Sequence, residues 1–308
     1  MNAIAQRIFG APGVAGPQQR LTRTTQEPRV NPQTLARVTG VLFLITYATS
    51  IPAALALYVP VLTDPSYING AGAADNGVFL GAFLELLLII ANIGTAIALF
   101  PILKRLNESL ALGFVAARVV ESAFIAVGVL SLLTLVTLRQ EAAGLDAGSL
   151  AVVGKALVAL HDWTFLLGPG FTVGVGNGMI LGYLLYRSGL VPRPMAALGL
   201  VGGPLLCASG IAIVFGVIEQ GGLGQTIAVV PEFFWELSLG IYLTVKGFRP
   251  SAVAFESANG RTAGHDVVLR TAPSTPEGGL YRERGSSRSR YKPPSSFAPL
   301  LRRRTRSV

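Results

Sequence analysis

Four ionisable side chains interrupt the long apolar stretches of this chain: Glu85, Arg118, Glu121 and Glu236. A charge at the centre of a membrane helix costs at least about 2.5 kcal/mol, and such side chains normally face the interior of a helix bundle. Arg118 and Glu121 are i, i+3 neighbours, so they can pair on one helix. We therefore expect a buried charged layer in which Arg118 holds carboxylates from its own helix and from others.

The depths of these residues predict a single layer. At about 1.5 Å per residue, all four fall within a slab about 7 Å deep in the outer half of the membrane. Asn92 lies on the same predicted helix face as Glu85 and offers a hydrogen-bonding group to the layer. Two interpretations stay open: a buried network that fixes helix register, or a site for protons, a cation or a small polar ligand.

The segment "HDW" is predicted just outside this layer. In one interpretation it is an interfacial anchor, with Trp163 at the headgroup level and His161 solvated. In the other, His161 and Asp162 lie at the mouth of the layer as proton-relay or ligand groups.

The segment "PEFFWE" predicts a second interfacial region. Pro231 favours the start of a helix, and Glu232 is favourable in its first turn. Trp235 is predicted to anchor at the membrane interface.

Motifs for cofactor or metal chemistry are absent. The sequence has no GxxxxGK[ST], GxSxG, HExxH or strand-linked GxGxxG pattern, and its only histidines are His161 and His265. Cys207 is the only cysteine, which excludes an intramolecular disulfide. We predict no cofactor and no metal site.

Long apolar runs must position these side chains. The chain has 308 residues, of which 51% are hydrophobic and 13% charged, whereas soluble domains carry about 25% charged residues. Several runs reach the roughly 20 residues that span a bilayer. They predict an all-α integral membrane helical bundle with six transmembrane helices, at 35–59, 78–103, 109–138, 170–186, 195–218 and 227–246.

The stretch 149–186 is too long for one span. "LLGPGF" is expected to break it, because Pro169 removes a backbone donor. We predict a short outer-side helix at 149–167, with Ser149 as its N-cap. In span four, one glycine recurs every four residues, which favours close helix packing, with a substrate groove as the alternative: Gly170, Gly174, Gly178 and Gly182.

Charge sets the predicted topology. Lys and Arg are concentrated in alternate loops, which places both termini in the cytoplasm (N-in/C-in). Residues 31–250 form the six-span membrane domain, preceded by a flexible basic segment at 1–30. Residues 251–308, with 11 basic and 4 acidic residues, are predicted to be a disordered cytoplasmic tail. The expected partners are the lipid bilayer and, through the basic tail, anionic lipid; no specific nucleic acid partner is expected, and no oligomeric state is predicted.

The most characteristic segments are "GVLFLITYATSIPA", "GAFLELLLIIANIGTA", "LFPILKRLNESLALGFVAARVVESAFIAVG", "ALHDWTFLLGPGFTVGVGNGMILGYLLYRSGLVPR" and "PEFFWELSLGIYLTVKGF". In this order and spacing they resemble a family of bacterial multi-pass membrane proteins, the domain-of-unknown-function family 4386. The resemblance covers roughly residues 31–250 and implies a six-span bacterial inner-membrane protein. It implies no activity, substrate or catalytic residue.

Three functions are compatible with these features. The first is binding or transport of protons, a cation or a small polar solute by the charged layer. The second is an intramembrane enzyme in which His161, Asp162 and a glutamate perform acid–base catalysis. The third is a membrane scaffold whose basic tail contacts lipid or a partner. Binding or transport is favoured over an enzyme.

Overall fold

Helices make up most of the described chain, which contains no strand. The computed structural model describes residues 31–64, 66–70 and 75–250, so the predicted terminal segments 1–30 and 251–308 lie outside the described residues. The α-helices are α1 (Pro32–Pro52), α2 (Val59–Thr63), α3 (Asp75–Leu106), α4 (Glu108–Gln140), α5 (Ala147–Phe165), α6 (Gly182–Ser188), α7 (Arg193–Val214) and α8 (Leu223–Val245). Three π-helical segments accompany them: π1 (Ala53–Leu57), π2 (Leu166–Thr172) and π3 (Gly174–Leu181).

Six of the helical stretches are long and apolar enough to cross a membrane, which confirms the predicted fold class. Their ends meet in two groups. At one end, Gln33 Nε2 donates to the Phe248 carbonyl at 2.8 Å. At the other, Asn69 Nδ2 donates to the Ala147 carbonyl at 3.4 Å. We call this second end the predicted outer end; it carries the connections around residues 58–70, 141–146 and 215–222.

Side-chain caps fix where two of the helices begin. Asn107 separates α3 from α4, and its Oδ1 accepts from the Leu110 amide at 2.9 Å. Asp146 precedes α5, and its Oδ2 accepts from the Ser149 amide at 2.8 Å. The N-cap of α5 is therefore Asp146, and the prediction of Ser149 was wrong. A carboxylate satisfies the free amides of a first turn as well as a hydroxyl does, and its charge favours the helix dipole.

The predicted break at "LLGPGF" does not separate two helices. The residues predicted as a short outer-side helix form α5, but α5 continues through π2 and π3 into α6, giving one helix of 42 residues, Ala147–Ser188. We call it the long helix. Pro169 lies inside π2, where the wider turn absorbs the proline instead of ending the helix. At about 1.5 Å per residue the long helix measures roughly 60 Å, about twice the hydrocarbon thickness.

Glycines let the long helix approach its neighbours closely. A Cβ on Gly174 would lie 2.7 Å from the Gly203 carbonyl oxygen of α7, and one on Gly168 would lie 2.7 Å from Phe124 Cβ of α4. Gly170 and Gly182 sit in looser surroundings, with nearest atoms at 3.4 and 3.3 Å. The tightest approach is therefore local to π3 and α7.

Two apolar clusters close the bundle on either side of its polar layer. The cluster at the basic end includes the fully buried Leu103, Leu185 and Leu243. The cluster at the predicted outer end includes Tyr58 and Leu132. Polar side chains that lie between these clusters are removed from bulk water, so their hydrogen bonds and charges must be satisfied within the bundle.

Candidate functional site

A cavity of about 350 Å³ occupies the bundle between its middle and the predicted outer end. Residues of α1, π1, α3, α4, α5, π2, α7 and α8 line it. Its walls bring together the four ionisable residues that the sequence singled out, which are Glu85, Arg118, Glu121 and Glu236. Other polar side chains also line it, among them Tyr47, Asn92, Gln225 and Glu232.

One wall is an Arg–Glu–Asn network between α3 and α4. Arg118 Nη1 donates to Glu121 Oε2 at 2.7 Å, and Arg118 Nη2 donates to Asn92 Oδ1 at 2.7 Å. The same guanidinium reaches Thr95 Oγ1 through Nε at 3.3 Å, while Asn92 Nδ2 donates to Glu121 Oε1 at 2.9 Å. All four residues are buried. Four hydrogen bonds therefore connect these side chains. Such hydrogen bonds offset the free-energy cost of burying the Arg118–Glu121 pair.

The pairing follows from the hairpin that α3 and α4 form around Asn107. In antiparallel helices, residues at similar distances from the turn lie at the same level, so Asn92 meets Glu121 and Thr95 meets Arg118. The predicted pairing of Arg118 with Glu121 on its own helix is present. The expectation that Arg118 also contacts carboxylates of other helices was wrong: Glu121 is the only carboxylate of the described chain within 4 Å of it, and its contacts to α3 go to Asn92 and Thr95.

Glu232 and Glu236 form the opposite wall, one turn apart on α8. Glu236 accepts a hydrogen bond from Asn177 Nδ2 of π3. Glu232 is only 3% exposed, and neither of its carboxylate oxygens has a hydrogen-bond partner among the described residues. Its Oε2 lies where two glycines leave room, since a Cβ on Gly178 or Gly202 would come within 2.7 Å of it.

Glu85 approaches the cavity from α3. Its Oε2 accepts a hydrogen bond from the Tyr58 hydroxyl at 3.0 Å, and both residues are buried. Tyr58 follows π1, and its ring packs against Gly81, where a Cβ would lie 2.9 Å from ring atom Cζ. The π segment after Pro52 and a glycine on α3 thus place the hydroxyl beside Glu85.

His161 and Asp162 do not line this cavity. His161 is 6% exposed and not solvated; its ring meets the Tyr58 ring at 5.6 Å. Asp162 lines a second pocket of about 240 Å³ at the predicted outer end, together with Asp64 and Lys155. An acid–base site made of His161, Asp162 and a cavity glutamate is therefore not assembled around one space.

Sequence reasoning missed several polar residues near the site. Glu232 was assigned to a first helical turn and Trp235 to the interface, but α8 begins at Leu223 and both side chains are buried. Trp235 Nε1 donates to the Asn177 carbonyl at 3.0 Å. The spacing of Glu232 and Glu236, one helical turn apart on one face, is the signal that would have revealed the pair.

The charges around the cavity do not balance. Among the described residues, the only cavity carboxylate with a basic group within 4 Å is Glu121, which is paired with Arg118. Glu85, Glu232 and Glu236 line the same space without a basic partner there. No group of three or more His, Cys, Asp or Glu side chains in the described chain is arranged to hold a metal ion.

These features define the class: an all-helical, multi-pass membrane protein with a polar cavity inside the bundle. The chain belongs to the family described as Domain of unknown function (DUF4386), whose match covers residues 38–247. No curated protein and no solved structure matches the chain.

Proposed function

We propose that this protein is a bacterial inner-membrane protein that binds a small organic cation in the cavity, for transport or sensing. The observation that carries the proposal is the set of three carboxylates, Glu85, Glu232 and Glu236, that line one space with no basic group of the described chain within 4 Å of them. An ionised carboxylate in an apolar interior is too costly to persist uncompensated. Each must therefore hold a proton or have a cation beside it.

Glu232 is the residue best suited to meet the ligand. Glu232 lines the cavity, and its two buried oxygens receive no hydrogen bond from the described chain, so they remain free to accept from a positive group that reaches them. Glu236 lies one turn further along α8, and among the described residues Asn177 is its only hydrogen-bond donor. A cation that binds here replaces the proton that otherwise keeps Glu232 neutral. Binding is thus an exchange of a cation for a proton.

Volume and lining favour an organic cation over a bare ion. The cavity of about 350 Å³ lies within the range that holds small organic ligands. Aromatic rings of Tyr47, Phe165 and Phe233 also line it, and Tyr47 and Phe233 meet at 5.2 Å. Rings beside carboxylates are the usual surroundings of ammonium groups, because the ring face attracts positive charge.

The orientation in the membrane follows from the basic loops, which place both termini in the cytoplasm. With that orientation the cavity lies in the outer half of the bundle. Ile51 and Leu55, which are both exposed, also line it.

The test is thermal unfolding of the purified protein in detergent with a series of alkylammonium ions, from methylammonium to tetraethylammonium. We expect saturable stabilisation by a subset of the series, reaching about 2.7 kcal/mol at a concentration 100-fold above Kd. Glu232→Gln and Glu236→Gln should each weaken the effect at least about tenfold in apparent Kd, because each removes one negative charge from the site.

Glu108→Gln is the matched control, since Glu108 is exposed at the start of α4 and away from the cavity. It should bind like the wild type. Equal stabilisation of the wild type, Glu232→Gln and Glu236→Gln by every member of the series would contradict the proposed site. So would the absence of any stabilisation across the series.

A further inference from the structure

A polar wall lies between two cavities of the described bundle. The outer pocket is lined by Asp162, and the inner cavity is lined by Glu85. His161 and Tyr58 line neither space, yet they touch each other and connect these two carboxylates. The wall therefore contains a hydroxyl and an imidazole where the rest of the bundle is largely apolar.

The contacts through the wall form an ordered series. The Asp162 carboxylate is half exposed, and its Oδ1 lies 3.7 Å from His161 Nδ1. The imidazole meets the ring of Tyr58 edge to face, with centroids 5.6 Å apart. The Tyr58 hydroxyl donates to Glu85 Oε2 at 3.0 Å. Each neighbour in the series is thus an ionisable or hydroxyl-bearing side chain.

His161 is the unusual member of the series. Its Nδ1 is buried and has no hydrogen-bond partner among the described residues. A buried ring nitrogen without a partner is costly if its only role is structural. Imidazole is also the side chain best suited to accept and release protons near neutral pH.

The groups that pack around His161 include two carboxylates. Asp162 on the same helix and Glu85 beyond Tyr58 are the carboxylates on its two sides. The face of α4 that packs against it presents Gly128, where a Cβ would lie 3.5 Å from His161 Cδ2, and so brings no charge. Among the described residues, the groups found against His161 are the Asp162 carboxylate, the rings of Tyr58 and Phe165, and Gly128.

We propose that His161 conducts protons between the outer pocket and the cavity, so that Glu85 exchanges protons with the external side. A proton moves from the Asp162 carboxyl to the imidazole, and the imidazolium then releases one proton towards Glu85. Asp162 returns to a carboxylate, the imidazole to its neutral form, and Glu85 becomes a neutral carboxyl. Tyr58 is a positioning residue: its ring packs against the imidazole, and its hydroxyl donates to Glu85 Oε2.

This inference deepens the proposed function, because it supplies the protons that a bound cation would displace, but its test does not need a ligand. Time-resolved infrared spectroscopy after a pH jump follows the carboxyl band of Glu85, which is assigned by its loss in Glu85→Gln. We expect His161→Gln to slow protonation of Glu85 by at least about tenfold, since the amide cannot carry a proton.

Asp162→Asn provides a second variant at a half-exposed position, where the fold tolerates change. It should also slow protonation of Glu85, whereas Glu141→Gln, at an exposed residue of the same end outside this pocket, should leave the rate unchanged. A purely structural His161 would lower thermal stability without changing the rate. Protonation of Glu85 at the wild-type rate in both His161→Gln and Asp162→Asn would overturn the proton pathway and leave the cation site untouched.

Discussion

Replacing Arg118 should reduce the stability of the fold strongly. Arg118→Leu removes the charged donor from Glu121 Oε2 and also leaves Asn92 Oδ1 without its partner. Both acceptors are buried, and removing one partner of a buried ion pair typically costs about 3–5 kcal/mol. We expect a loss of that size in the free energy of unfolding, measured by equilibrium denaturation in mixed micelles.

A double-mutant cycle separates the interaction energy between Arg118 and Glu121 from destabilisation that each substitution causes on its own. Glu121→Gln keeps an acceptor for Asn92 Nδ2 but leaves Arg118 without a counter-ion in contact. The double variant Arg118→Leu with Glu121→Gln should recover about 1–3 kcal/mol relative to the sum of the single losses, as expected for residues in contact. Recovery should be partial, because Asn92 and Thr95 remain without the guanidinium.

Arg105→Leu serves as the control because Arg105 is exposed near the end of α3. Its effect should stay within about 0.5 kcal/mol. Strictly additive losses for Arg118→Leu and Glu121→Gln would show that the two side chains do not interact. That result would refute the network as the feature that holds α3 against α4.

Two further predictions concern packing and orientation. Gly203→Ala should destabilise the protein by about 1–3 kcal/mol in the same denaturation assay, because its Cβ would lie 2.8 Å from the Met179 amide nitrogen. The control Gly113→Ala, whose Cβ would have its nearest contact at 3.4 Å, should be neutral or stabilising. A stable Gly203→Ala would argue against the tight approach of π3 and α7. Reporter fusions test N-in/C-in topology and should read external at 70 and 222 and cytoplasmic at 106, 190 and 255; an external reading at 255 would contradict it.

The fold was predictable because membrane spans follow from composition and length alone. The apolar runs gave six helices, and their bounds moved outward by only a few residues at most ends, as for α4, predicted at 109–138 and observed at Glu108–Gln140. The long helix was missed because proline and glycine normally end helices in water. Inside a packed bundle, Pro169 is accommodated by a π turn, and the glycines are used for close contact.

The sequence identified site residues only where a charged residue type within an apolar run was enough to mark them. A charge within an apolar run identified Glu85, Arg118, Glu121 and Glu236, which do line one cavity. Glu232 was not predicted as a site residue because it follows Pro231, and that pattern also occurs at exposed helix starts. Partner choice depends on tertiary geometry, so no spacing rule assigns Arg118 to Asn92 and Thr95 rather than to Glu85 or Glu236.

The measurement closest to the central claim is infrared difference spectroscopy on adding, to the detergent-solubilised protein, the alkylammonium ion that stabilises it most in the unfolding series. If the cation replaces a proton at the cavity carboxylates, the wild type should lose absorbance of a protonated carboxyl and gain that of a carboxylate. Glu232→Gln should lack that change, and Glu108→Gln should retain it. An unchanged carboxyl spectrum in the wild type, or the same difference spectrum in Glu232→Gln, would contradict a cation site built on Glu232.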